Sequence, residues 1–286
     1  MSKSIAVFGG NGFLGRKICE IGVSKGYKVT SFSRIGKPPA SVKAQPWVSQ
    51  VSWNKVDIFH QLDSIQSQLA EFDTVVHSIG ILFEDQSYKQ TMNSKLPGGM
   101  SSVFNDLKKL SNNLMGSNPM QRDKQWMTYE AIQRDSAVGL ADAYVKARQA
   151  RQARQSGVDG SSIVGNYVYI SADQNPPMVP KRYITTKREA EAAISRNPYL
   201  RSILMRPSVM YDNSQDLETT KRDVLIKGLK LGVDLKRKIV GDAILGDFVR
   251  PVVSTTQVSE AIYNKLEDPQ FHGIVPVELI EKEPNW

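Results

Sequence analysis

The chain has 286 residues, 40% hydrophobic and 23% charged, which suits a globular protein with a sizeable core and not a disordered one. It holds no apolar run long enough to cross a membrane, and its single cysteine, Cys19, excludes an internal disulfide. A net charge of +8 and a pI of about 9.4 fit a nucleic-acid binder, a protein at an anionic membrane or a soluble protein of a basic-rich compartment, without choosing among them.

Residues 4–8 form a short apolar run ending at glycine, the pattern of a buried strand. Apolar residues then recur at helical spacing over 12–25, with Cys19 as a small buried hydrophobe. Strands are predicted at 27–33, 51–58 and 74–77. Residues 84–128 break this rhythm with Pro97-Gly98-Gly99 and Asn118-Pro119, and read as a long insertion with a helix at 103–114. A long helix is predicted over 129–156, a fifth strand over 166–171, a helix over 183–195 and a sixth strand over 202–206, stopped by Pro207. Alternating strands and helices imply a Rossmann-like α/β fold with a doubly wound parallel sheet. The expected organisation is one nucleotide-binding domain over 1–207 and a small mixed lobe over 208–286, with helices at 216–231 and 256–266. The first strand begins at Ser4, so no cleavable leader or secretory signal is expected.

The turn Gly9-Gly10-Asn11-Gly12-Phe13-Leu14-Gly15 joins the first strand to the first helix. Glycines let the backbone approach a pyrophosphate, and exposed amides with the helix dipole favour its charge. A nicotinamide dinucleotide is therefore the expected cofactor. The second strand ends at Ser33-Arg34, where an NAD-preferring site carries a carboxylate for the ribose 2′-hydroxyl, and Arg16 follows the last glycine. Guanidinium groups suit a 2′-phosphate, so NADP(H) is favoured over NAD(H). Asp57, ending the third strand, is either an acceptor for the adenine amino group or a helix cap.

Tyr183 and Lys187 are one helical turn apart, which puts phenol and ammonium on one face. An adjacent ammonium favours phenolate and suits Tyr183 to acid–base work. Ser171 ends the fifth strand, where side chains border the ligand crevice, and is placed to bond a substrate carbonyl. His60, His77 and His272 lie far apart, and no metal site is expected. Lys146, Arg148, Arg151 and Arg154 recur near a helical period, and Arg148, Arg151 and Arg154 form one stripe on the long helix, either a phosphate-binding face for lipid or RNA or a solvated helix end. Leu235-Lys236-Arg237-Lys238 is a second basic spot with the same two readings, and the four tryptophans read as packing residues.

These pieces, in this order, resemble the short-chain dehydrogenase/reductase superfamily. The matching segments are Gly9 to Gly15, Asp57, Thr74-Val75-Val76-His77-Ser78-Ile79-Gly80, Ser171, Tyr183 with Lys187, and Arg206-Pro207. The segment Arg250-Pro251-Val252-Val253-Ser254-Thr255-Thr256-Gln257-Val258 is similar to a late motif of the atypical branch that includes a complex I accessory subunit. Val7 to Gly15, His77 to Leu82, Tyr169-Ile170-Ser171-Ala172-Asp173 and Lys187-Arg188-Glu189-Ala190-Glu191 further resemble fungal mitochondrial members associated with coenzyme Q biosynthesis. The resemblance implies that Ser171, Tyr183 and Lys187 are catalytic. It extends the cofactor-binding set to Asp57, His77, Ser78, Ile79, Gly80, Lys187 and Arg206. It also implies a mitochondrial protein, on the matrix side of the inner membrane and peripheral to it. The implied partners are the ubiquinone-synthesis assembly, the anionic membrane surface and a hydrophobic quinone-like substrate. Two functions follow as expectations: an NADP(H)-dependent oxidoreductase, or a non-catalytic nucleotide-binding subunit of that assembly. Three departures stand out: Arg206-Pro207-Ser208 where the family has a glycine third, Gln133 where relatives place asparagine, and the long insertion.

Overall fold

Ile5, Ala6, Val7 and Phe8 are all buried, so the first strand is covered on both faces, as a parallel sheet flanked by helices requires. Ile5 and Val7 enter one core and Ala6 and Phe8 the other, following the two-residue period of a strand. The computed structural model describes residues 3–82, 127–154, 164–176, 179–213 and 250–285.

The elements in chain order are β1 (Ser4–Phe8), α1 (Gly15–Ser24), β2 (Lys28–Ser33), β3 (Ser52–Lys55), α2 (Gln66–Leu69) and β4 (Thr74–His77). A π-helical turn over Glu130–Asp135 leads into α3 (Ser136–Arg154). Then come β5 (Gly165–Ile170), α4 (Arg182–Ser195), β6 (Leu200–Met205), β7 (Met210–Tyr211), β8 (Val253–Ser254), α5 (Thr255–Glu267), β9 (Gly273–Val275) and α6 (Val277–Ile280). Seven strands form one parallel sheet in the order β3-β2-β1-β4-β5-β6-β9, and β7 pairs with β8. The order reverses between β1 and β4, so the crevice beyond their C-terminal ends is the topological switch point.

Helices α1 and α5 cover the face that carries Ile5 and Val7, and α3 and α4 cover the other. Within the residues expected to form the small lobe packed on this domain, β9 pairs with β6 and extends the main sheet. Val258, Ile262, Val275 and Val277 lie in the same core as Ile5, because the β6 edge and α1 would otherwise leave apolar surface in water. The late motif gains a physical meaning here. Ser254 Oγ accepts from the Gln257 amide at 3.0 Å and Gln257 Oε1 accepts from the Ser254 amide at 2.9 Å, a capping box that starts α5. The helices expected at 103–114 and 216–231, all of the insertion expected over 84–128 except its last two residues, and the basic spot at 235–238 lie outside the described residues.

The arginine stripe on α3 is turned inward in part. Arg148 Nη1 donates to the Phe72 carbonyl at 3.1 Å, and Arg151 Nη1 donates to the Ala70 carbonyl at 2.9 Å. These two arginines thus bond the carbonyls left open after α2, although Arg151 stays exposed, as are Arg154 and the nearby Lys146. Trp47 is buried beside Trp53, with ring centroids 6.3 Å apart, and both serve packing. Cys19 is wholly buried, and burial pushes its thiol pKa far up, so it stays a protonated, inert core residue.

Candidate functional site

The glycine turn sits at the switch point because β1 ends there. Gly9 has φ 88°, and a Cβ on it would lie 2.8 Å from the Ser78 carbonyl oxygen. That close approach of the β1 and β4 ends requires glycine. A Cβ on Gly10 would overlap Ser31 Oγ, and one on Gly15 would overlap the Gly9 carbonyl oxygen. The Gly12 amide donates to the Gly9 carbonyl at 2.8 Å, closing the turn into α1. No acidic residue stands in the first turn of α1. A crevice with glycines at its floor, a helix N-terminus aimed at it and no carboxylate in that turn fits a dinucleotide phosphate. Asn11, Phe13 and Leu14 complete the turn beside it.

The adenosine corner is formed after β2. Ser33 Oγ accepts from the Gly36 amide at 3.0 Å, so its hydroxyl shapes the loop. Arg34 is exposed at the strand end. Arg16 is not a free cation: its Nη2 pairs with Asp212 Oδ2 and its Nη1 donates to Ser41 Oγ at 3.3 Å. Asp57 Oδ1 accepts from the Phe59 amide at 3.0 Å, which makes it the cap of the turn after β3.

The other wall is built from β4, β5 and α4. Ser171 follows β5 and is buried. Lys187, one turn inside α4, is also buried and donates from Nζ to the Ile170 carbonyl at 2.9 Å, one residue before Ser171. Its ammonium lies 5.6 Å from the Tyr183 ring centroid and 5.4 Å from that of Tyr169. A Cβ on Gly80 would stand 3.9 Å from Nζ, so Lys187 sits beneath the strand-four motif as well. Desolvation lowers the Lys187 pKa to about 7, against a smaller opposing pull from Glu191. The structure thus brings Ser171, Tyr183 and Lys187 to one wall, with Ser78, Ile79 and Gly80 across from it.

Two expected ligand residues are engaged elsewhere. The His77 ring is fully buried, with Nε2 2.8 Å from Ser136 Oγ. Ser136 gives its own proton to the Ile132 carbonyl at 2.6 Å, so His77 must donate from Nε2. Burial and the charge of Lys187 lower its pKa to about 3, and it stays neutral. Its imidazole therefore packs the core, beside Ser136 and the Tyr169 ring. Arg206 is held by Glu191, through Nε to Oε1 at 3.0 Å and Nη2 to Oε2 at 2.5 Å.

Sequence reading passes over Arg188 and Glu191. Arg188 Nη1 donates to Ser171 Oγ at 3.1 Å and to Glu191 Oε1 at 2.7 Å, while its Nη2 donates to the Asp173 carbonyl at 2.6 Å. The signal was available, since Glu191 is four residues after Lys187 and three after Arg188 on a predicted helix. Gln133 is also buried, and its backbone carbonyl accepts from the Tyr169 hydroxyl at 2.7 Å within the π turn. Among the described residues no cluster of histidine, cysteine or carboxylates is arranged to hold a metal, and no helix is long and apolar enough to cross a membrane.

No family model matches the chain. MIOREX complex component 2 of Saccharomyces cerevisiae is 36% identical over 291 residues, covering 99% of this chain and 100% of the relative. An uncharacterized chloroplastic protein of Arabidopsis thaliana is 24% identical, covering 98% of this chain and 77% of its own length. Among solved structures, ElxO with NADP bound aligns with TM-score 0.55 at 14% identity, covering 99% of this chain and 100% of that one. UDP-glucuronic acid 4-epimerase from Bacillus cereus in complex with NAD aligns with TM-score 0.54 at 14% identity, covering 96% and 76%. These likenesses agree with the parallel sheet described above. The chain belongs to the family of the yeast MIOREX complex component 2 and has a Rossmann-like fold.

Proposed function

We propose that this chain is an NADP(H)-dependent oxidoreductase of a mitochondrial assembly, acting on a quinone precursor in ubiquinone biosynthesis. The observation that carries this reading is Lys187, buried under the Tyr183 ring and tethered to the carbonyl that precedes Ser171. Burying an amine this deeply is costly, and the fold has easier ways to fill that space. The expense is explained by a phenol that must give up or take a proton near neutral pH.

The residues divide the work as follows. Gly9 to Gly15 hold the pyrophosphate, with Arg34 and Arg16 at the 2′-phosphate and Asp57 at the adenine. Ser78, Ile79 and Gly80 line the wall opposite, with the backbone of His77, and Arg206 braces it through Glu191. The bound nicotinamide supplies or accepts hydride. Ser171, whose oxygen already accepts from Arg188, directs its proton to the substrate carbonyl. Tyr183 delivers the proton, and Lys187 favours the phenolate that remains.

A second reading is favoured by one specific observation. The Gln133 carbonyl and the Ser171 oxygen each already accept a hydrogen bond from a protein group, Tyr169 and Arg188. This suits a nucleotide-holding subunit of the coenzyme Q assembly, in which the dinucleotide stabilises the fold. The location proposed for either role is the matrix face of the inner membrane, at its anionic surface. RNA is the less favoured partner, because Arg148 and Arg151 bond carbonyls of their own chain.

The deciding experiment is NADPH oxidation with a short-chain hydroxylated benzoquinone, for the native chain and for Tyr183→Phe. The oxidoreductase reading expects turnover that falls about a hundredfold or more in the variant. Turnover that survives the substitution removes Tyr183 as the proton donor. Tight NADPH binding without turnover by the native chain replaces the first reading with the second.

A further inference from the structure

We infer that Asp212 is an internal stand-in for a dinucleotide phosphate, holding Arg16 at the mouth of the glycine turn until a cofactor takes it over. The inference rests on the dinucleotide reading above and goes beyond it. Arg16 follows Gly15 directly, and its amide donates to the Gly12 carbonyl at 3.1 Å, so its backbone is part of the turn. Its guanidinium lies 5.9 Å from the Phe13 ring centroid and reaches Ser41, in the loop that follows Arg34. It therefore spans from the phosphate turn to the adenosine corner. There it meets Asp212, whose side chain is only 2% exposed.

A carboxylate presents oxygen acceptors to a guanidinium much as a phosphate does. Asp212 directly follows β7, which pairs with β8. Burying it there is costly without a cation beside it. The pairing neutralises the charge that a cofactor phosphate would seek, so a dinucleotide that engages Arg16 must break an existing ion pair. Affinity is thereby lowered, and Asp212, 196 positions from Arg16, is coupled to occupancy of the crevice.

The phosphate concerned is either the 2′-phosphate, which only NADPH carries, or the pyrophosphate, which NADPH and NADH share. Isothermal titration of both cofactors against the native chain, Asp212→Asn, Arg16→Ala and the double variant separates them. Asp212→Asn is expected to tighten binding about tenfold. Tightening confined to NADPH identifies the 2′-phosphate, and equal tightening of both identifies the pyrophosphate. In either case the gain disappears when Arg16 is also replaced. Unchanged affinity in Asp212→Asn, or a gain that survives Arg16→Ala, overturns the inference while native binding keeps the dinucleotide reading. Binding of neither cofactor by any form overturns both. If Asp212→Asn does not fold, Arg16→Ala alone decides. A withheld Arg16 predicts a loss under about threefold, and a loss near a hundredfold overturns the inference.

Discussion

Replacing Glu191 with glutamine removes one carboxylate from between two arginines. Its side chain is 5% exposed and accepts from Arg188 at 2.7 Å and from Arg206 at 3.0 and 2.5 Å. Leaving a buried charge without its partner costs about 3–5 kcal/mol. Arg206 and Arg188 keep 26% and 32% of their side chains in water, so part of that cost is recovered by hydration. The expected loss is roughly 2–3 kcal/mol, about a 1 M fall in the urea midpoint with an unchanged slope. Arg188→Gln is expected to cost less, about 1 kcal/mol, because Arg206 continues to hold Glu191 from two directions. Equilibrium urea unfolding followed by tryptophan fluorescence measures both. If Glu191→Gln shifts stability by less than about 0.5 kcal/mol, or if Arg188→Gln costs more, the carboxylate is not the keystone of this cluster.

Lys187→Met should change how stability depends on pH. The folded pKa of about 7 lies below the ordinary 10.5, so the unfolded chain holds the extra proton between those values. Stability from this group therefore rises with pH across that window, and the penalty for burying the ammonium is complete below about 7. Urea midpoints at about pH 6 and pH 9 should differ less in Lys187→Met than in the native chain, and an unaltered difference would place the titration elsewhere. Gly10→Ala should destabilise by roughly 2 kcal/mol, since its methyl would overlap Ser31 Oγ. Ser31 Oγ is buried without a hydrogen-bond partner, so Ser31→Gly in the same background should restore most of the melting temperature. A Gly10→Ala protein that melts like the native one would show that the turn has room to yield.

The strands were legible where burial on both faces writes a continuous apolar run. The fourth strand was expected at 74–77 and lies there. β9 was missed because it has three residues and its central Ile274 is exposed, leaving no pattern to read. The long helix was expected to run unbroken from 129, but its first turn is π-helical over Glu130–Asp135. One turn wider by a single residue does not disturb a periodic pattern enough to show. In the site, Tyr183 and Lys187 could be paired from their spacing, since a helix turn is local. The partners that define Arg16, Arg206 and His77 could not. Asp212 is 196 positions from Arg16 and Ser136 is 59 from His77, distances that only the folded topology closes. The arginine stripe shows the converse: its charge was plain, but its use as a set of backbone caps depended on where α2 ends.

The Tyr263 hydroxyl donates to the Ile18 carbonyl at 2.8 Å across 245 positions, and a Cβ on Gly22 would collide with that same hydroxyl. α1 thus waits for α5 to close its inner face. Ile18 and Ile21 share their core with Val258, Ile262 and Tyr263, so during synthesis part of their cover is missing until residues near the other end arrive. Closing such a long loop is slow relative to local helix and strand formation. A chain cut short before Tyr263 should be a client for chaperones and proteases, whatever the state of its cofactor turn.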